Sequence, residues 1–168
     1  MQELQDLVAE VPDFPKPGIL FRDISPLLRL RFHETITAVD ALFSAAEWDG
    51  IDAVAGVESR GFILASALAD RRRKGFVLIR KKGKLPPPVV DIAYELEYGT
   101  GVLEMPMGQG RLLLLDDVLA TGGTLLASSA LATQAGFTVE QVGVLIDLGL
   151  VPGFRCGPHA VRSVLQYG

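Results

Sequence analysis

Leu112-Leu113-Leu114-Leu115-Asp116-Asp117-Val118-Leu119-Ala120-Thr121-Gly122-Gly123-Thr124 is a leucine run that stops at two carboxylates and leads into a glycine pair bracketed by threonines. A short apolar run bounded by turn residues reads as a buried strand. Leu125 to Ala135 then carries a helical pattern, with Gly136 as its stop. The expected order is strand, polar loop, helix N-terminus. Such a junction offers unpaired backbone N–H groups and the positive end of a helix dipole to an anion. Gly122 and Gly123 let the backbone curl closely around it. Thr121 and Thr124 add hydroxyls, and Ala120 opens the turn. Asp116 and Asp117 can accept from vicinal hydroxyls or hold a metal through water. A phosphate cradle beside a polyol clamp suits a sugar phosphate. No lysine follows Gly123, which excludes a P-loop, and no G-x-G-x-x-G is present in the run.

Working outward, residues 2–11 place Leu4, Leu7, Val8 and Val11 on one helical face. Pro12, Pro15, Pro17 and Gly18 forbid regular structure after it. Residues 32–48 repeat apolar positions at helical spacing, and Gly61 to Arg73 reads as a further helix. Asp52–Val57, Gly75–Ile79 and Thr138–Leu148 read as buried strands, and Val161–Gln166 as a last short one. Residues 81–100 are charged and rich in Pro and Gly, which predicts a long functional loop. Apolar strands alternating with helices predict an α/β domain with a parallel sheet covered on both faces. Ligands of such sheets sit outside the carboxyl ends of the strands. The loops at Glu58–Gly61, Arg80–Lys84 and Asp116–Thr124 therefore crowd one rim.

The composition narrows the class. The chain has 168 residues, enough for one core, and 49% are apolar. A net charge of −4 argues against general nucleic-acid binding. No apolar run reaches spanning length. Acidic residues Glu3, Asp6 and Glu10 near the start fit neither a signal nor a transit peptide. One cysteine excludes an internal disulfide framework, and a reducing cytoplasm is the expected compartment. Two scattered histidines and Cys156 give no zinc site. Arg71-Arg72-Arg73-Lys74 reads as a solvated helix end.

At the rim, the planar fork of Arg60 suits a diphosphate. Arg80, Lys81, Lys82 and Lys84 supply positive charge, although the run reads equally as a solvated loop. The Asp116–Thr124 run resembles the phosphoribosyl-pyrophosphate-binding motif of the type I phosphoribosyltransferases. Phe14-Pro15-Lys16-Pro17-Gly18-Ile19-Leu20-Phe21-Arg22-Asp23-Ile24-Ser25-Pro26 resembles the purine-side segment of the adenine phosphoribosyltransferase family. Val57-Glu58-Ser59-Arg60-Gly61-Phe62 resembles its pyrophosphate loop. Arg80-Lys81-Lys82-Gly83-Lys84-Leu85-Pro86 and Tyr94-Glu95-Leu96-Glu97-Tyr98-Gly99 resemble the two ends of its flexible catalytic loop. The motifs follow in the family's order from the first helix to about Leu148.

The resemblance implies one domain over residues 1–168, with a hood from about 1–30 and 148–168. It implies transfer of phosphoribosyl from phosphoribosyl pyrophosphate to adenine, giving AMP and pyrophosphate in purine salvage. It implies magnesium, held mainly by substrate and water. Arg60 with Ser59, Arg80, Lys81 and Lys84 then serves the diphosphate. Asp116 and Asp117 hold the ribose, and Ala120, Thr121, Gly122, Gly123 and Thr124 hold the 5′-phosphate. Leu20, Phe21 and Arg22 line the base, and Leu148 packs on its face. From residue type alone, Leu20, Phe21 and Leu148 would be core packing. Glu97 is implied as the acid/base of the purine proton and Tyr98 as a residue of the closing loop. A homodimer is implied as well, with no nucleic-acid or membrane partner. After Leu148 the chain departs from the family pattern, with Gly149-Leu150-Val151-Pro152-Gly153-Phe154-Arg155-Cys156-Gly157-Pro158-His159. That departure leaves two alternatives: a phosphoribosyltransferase for another purine such as xanthine, or a non-catalytic sensor of phosphoribosyl pyrophosphate.

Overall fold

The leucine run lies at the middle of the sheet. In the computed structural model, which describes residues 2–96 and 99–168, it belongs to β7 (Gly110–Leu119). β3 (Ala53–Val57) and β8 (Phe137–Asp147) flank it, both parallel to it. Leu112 to Leu115 are each 0% exposed. Their alternation is real but hidden, because both faces are covered. Leu113 and Leu115 pack toward α2 (Ser25–Asp40), α3 (Ala45–Asp49) and α4 (Arg60–Arg72). Leu112 and Leu114 pack toward α5 (Gly123–Gln134).

β4 (Gly75–Lys81) and β10 (His159–Gln166) complete a parallel core in the order β4-β3-β7-β8-β10. The edges are antiparallel. β6 (Gly99–Pro106) joins β4 and is followed outward by β5 (Val89–Leu96); β9 (Arg155–Cys156) caps the other edge. Leu103 and Met105 of β6 share the α5 core, so the sheet curls over that helix. α/β architecture with a mostly parallel sheet is thus observed, and the C-terminal strand belongs to the main sheet.

The elements depart from expectation where distant pairing decides. The stretch 81–100 is largely the β5–β6 hairpin. Val90, Ile92 and Tyr94 pack inward while Asp91 and Ala93 face solvent, a period-2 pattern the Pro and Gly content obscures. The N-terminal helix α1 is only Gln2–Gln5; β1 (Ala9–Pro12) instead pairs with β2 (Leu20–Asp23) as a separate ribbon. The helix expected over 32–48 is two helices. Ser44 caps α3, accepting from the Glu47 N–H at 3.3 Å while Glu47 accepts from the Ser44 N–H at 2.8 Å. That capping box restarts the chain after a break. Arg71 and Arg72 are no solvated helix end: both pair with the buried carboxylate of Asp40, at 3.1 and 2.6 Å. β7 also runs four residues past Leu115, since Leu119 still pairs with Asp147.

Candidate functional site

Because β7 continues to Leu119, Asp116 and Asp117 lie in the strand and not in the loop after it. They are 7% and 9% exposed. The Asp117 N–H donates to Asp116 Oδ1 at 2.9 Å. Burial, and then the charge of Asp117, push Asp116 well above the usual carboxylate range. Arg60 Nε stands 2.5 Å from Asp117 Oδ2. The contact is an ion pair without hydrogen-bond alignment, so Oδ2 is a buried acceptor that receives no hydrogen bond. Gly61 makes this approach of α4 possible: a Cβ there would stand 2.9 Å from Asp116 Oδ1.

The turn from Ala120 leads straight into α5. Gly122 occupies the N-cap position at φ 86°, and no side chain caps the helix. The left-handed conformation and the ring of Phe154, 2.1 Å from a hypothetical Cβ, both require glycine. The first N–H groups of α5 are therefore turned toward a small concavity of about 60 Å³. Val118, Ala120, Thr121, Gly122, Gly123 and Thr124 line it. Tyr94 of β5 stands by Thr124, which works to lower its phenol, yet burial outweighs this and raises the phenol above the usual range.

A larger cavity of about 480 Å³ opens next to it. Leu20, Phe21, Arg22 and Leu148, the residues expected around the base, line it, together with Arg60, expected at the diphosphate, and Leu150 and Tyr167. Val118 and Ala120 border both spaces, so the two form one trough. The Arg60 guanidinium lies 4.9 Å from the Phe21 ring and donates to the Arg22 carbonyl at 3.2 Å. Arg22 in turn lies 4.1 Å over the Tyr167 ring and pairs with Glu10. Tyr167 directly follows the last strand, β10, 145 residues beyond Arg22 in number, and no local signal marks it.

The basic run is gathered by Glu58, which the motif contained but the site assignment missed. Its carboxylate accepts from Lys84 Nζ at 2.5 Å, the Lys81 N–H at 3.0 Å and Arg80 Nε at 3.4 Å. Burial works to raise Glu58, yet Lys84, the Lys81 N–H and Arg80 together hold it below the usual range. Lys81 joins through its main chain, and the residue itself is exposed. Ser59 is exposed at the start of α4, and its hydroxyl makes no capping bond. Glu97 and Tyr98 lie outside the described residues. Among the described residues no cluster of three His, Cys, Asp or Glu side chains could hold a metal.

Comparison with known proteins agrees with this geometry. Residues 35–147 match the model of the phosphoribosyl transferase domain. The adenine phosphoribosyltransferase of Hydrogenovibrio crunogenus is 50% identical, covering 98% of this chain and 96% of its own. The crystal structure of adenine phosphoribosyltransferase from Rhodothermus marinus superposes with a TM-score of 0.85 at 42% identity, over 98% and 97% of the two chains. The Saccharomyces cerevisiae enzyme, complexed with an imino-altritol bisphosphate and adenine, gives 0.87 at 32% identity, over 97% of each chain. A strand-borne acid pair, a glycine-turned helix start and full-length similarity thus converge: the chain belongs to the adenine phosphoribosyltransferases of the phosphoribosyl transferase domain family.

Proposed function

We infer that this chain transfers the phosphoribosyl group from phosphoribosyl pyrophosphate to adenine, giving AMP and pyrophosphate. The observation that carries the reading is the trough: an amide-lined concavity joined through Val118 and Ala120 to an apolar cavity, with two buried carboxylates immediately upstream in β7. A nucleoside monophosphate likewise carries a phosphate at one end and a flat base at the other, with a diol on the sugar between them. The 5′-phosphate takes the N–H groups of Thr121 to Thr124, where the dipole of α5 favours negative charge. The ribose hydroxyls donate to Asp116 and Asp117, whose Oδ2 has an acceptor position to give. Leu20, Phe21 and Leu148 sandwich the base.

In the reaction a purine nitrogen bonds to the anomeric carbon as the carbon–diphosphate bond breaks, through a sugar carrying oxocarbenium character. Arg60, Arg80 and Lys84 stabilise the departing diphosphate, an interaction that grows as the bond breaks. The apolar cavity walls keep water from the cationic sugar. Glu97 takes up the purine proton. The residues fit magnesium brought in with substrate: the ion keeps several waters and needs only one or two carboxylates plus phosphate oxygens. When bound it supplies further neutralisation of the leaving group.

Turnover with adenine, hypoxanthine, guanine and xanthine, each with phosphoribosyl pyrophosphate and magnesium, tests the assignment. Adenine alone is expected to react; turnover of a 6-oxopurine without adenine would overturn it. We further propose a cytoplasmic homodimer. The exposed apolar side chains of Phe32, Ile63 and Phe76 support association. Among the described residues no helix is long and apolar enough to cross a membrane. Light scattering at micromolar concentration reads the dimer's mass directly.

A further inference from the structure

Glu104 is an acidic residue at 3% exposure on β6, directly opposite Arg80 of the adjacent strand β4. The three hydrogen bonds that its carboxylate accepts reach back to a single turn. Oε2 accepts from the Gly83 N–H at 2.9 Å, and Oε1 accepts from the N–H groups of Lys84 at 2.6 Å and Leu85 at 2.7 Å. Three successive N–H groups converging on one anion form a nest, here filled by a side chain of the same protein. The Gly83 N–H foremost holds this carboxyl below the usual range. The pairing of β6 with β4 and β5 does not need these bonds, because it runs through the ladders themselves.

What the nest fixes is the origin of the Lys84 side chain. The main chain of Lys84 is tied to Glu104, and its ammonium reaches Glu58 beside Arg60. Arg80 is bound into the same unit, donating to the Lys84 carbonyl at 3.4 Å. We propose that Glu104 is a positioning residue for the diphosphate: by ordering residues 83–85 it holds Lys84 and Arg80 where the leaving group needs them. The inference rests on the reading of Lys84 as a diphosphate ligand.

The test measures binding of pyrophosphate with magnesium, and separately of AMP, by titration calorimetry on the full chain. The proteins are the parent, Glu104→Gln, Lys84→Ala and the double variant. The amide of Glu104→Gln cannot accept from all three N–H groups. Pyrophosphate affinity is expected to fall about tenfold in either single variant, about 1.4 kcal/mol. The double variant is expected to be no weaker than Lys84→Ala, and AMP affinity to stay within about twofold throughout. Unchanged pyrophosphate binding in Lys84→Ala would sink the ligand assignment and this inference with it. A normal Lys84→Ala defect would instead leave that assignment standing. The inference alone would then be overturned by an inert Glu104→Gln, by multiplying effects, or by equal loss of AMP binding. If Glu104→Gln does not fold, Glu104→Asp, which keeps the charge and withdraws it by one methylene, carries the same readouts.

Discussion

The β7–α5 junction and the β4–β6 edge lie at the same carboxyl end of the parallel strands but are held by different forces. The junction rises from a strand buried on both faces, and its working groups are main-chain N–H groups and two strand carboxylates. The edge is antiparallel and is organised by side-chain charge: Lys84 and Arg80 on Glu58, and Lys82 on Asp91 at 2.8 Å. Lys84 and Lys82 have side chains 45% and 60% exposed, so solvent and salt weaken these pairs. A rigid junction suits recognition of the phosphate and ribose that stay on the product. An edge of long cationic side chains suits the diphosphate that leaves.

Variants on the two sides should therefore separate binding from turnover. The largest effect is expected for the acid/base role proposed for Glu97. Glu97→Ala should lower kcat by about 10² to 10⁴-fold, the usual size of a general acid–base contribution, with phosphoribosyl pyrophosphate affinity nearly unchanged. Steady-state kinetics beside direct titration checks this, and parallel loss of both would erase the division of labour. Gly122→Ala should come next. It places a Cβ in a left-handed conformation and against Phe154, so AMP affinity should fall about a hundredfold. Asp117→Asn should follow at about thirtyfold weaker binding of phosphoribosyl pyrophosphate, within the range for a lost charge-assisted bond. Calorimetry reads both, and a defect confined to kcat in either would move that residue to the other side of the comparison.

The smallest effect lies away from both regions. Arg162 first, and then the Ser44 N–H and hydroxyl, lower Glu47 from 4.5 to about 2. A carboxyl depressed on folding contributes stability in full above its unfolded value, and that contribution is lost as pH falls from about 4.5 through about 2. Glu47→Gln should flatten the acid limb of a Tm-against-pH curve while leaving both binding and kcat at neutral pH alone. An unaltered acid limb would show the Glu47–Arg162 pair to be thermodynamically silent.

The same contrast explains what the sequence could reveal. The junction is local: leucines, acids, glycines and helix start follow one another within 24 residues from Leu112 to Ala135, so their order carries the geometry. Arg60, Leu20, Phe21 and Leu148 also reach the trough, since each sits in a recognisable segment or at a strand end. The edge is built from long-range partners. Glu104 binds main-chain groups about 20 residues upstream, and nothing in Val102-Leu103-Glu104-Met105 marks that acid as buried. Tyr167 and Asp40 were equally silent, the first entering the cavity through strand order, the second meeting Arg71 and Arg72 through helix packing. The hairpin and the α3 capping box were legible in principle. Their period-2 pattern and Ser-x-x-Glu spacing were outweighed by Pro and Gly content and by continuing helical periodicity.

The account rests on where a nucleotide lies. A crystal structure of the protein with AMP is expected to place the phosphate against the N–H groups of residues 121–124, the ribose hydroxyls on Asp116 and Asp117, and the purine between Phe21 and Leu148. Density for the nucleotide at any other place on the molecule, or in this trough with phosphate and base exchanged, would contradict it.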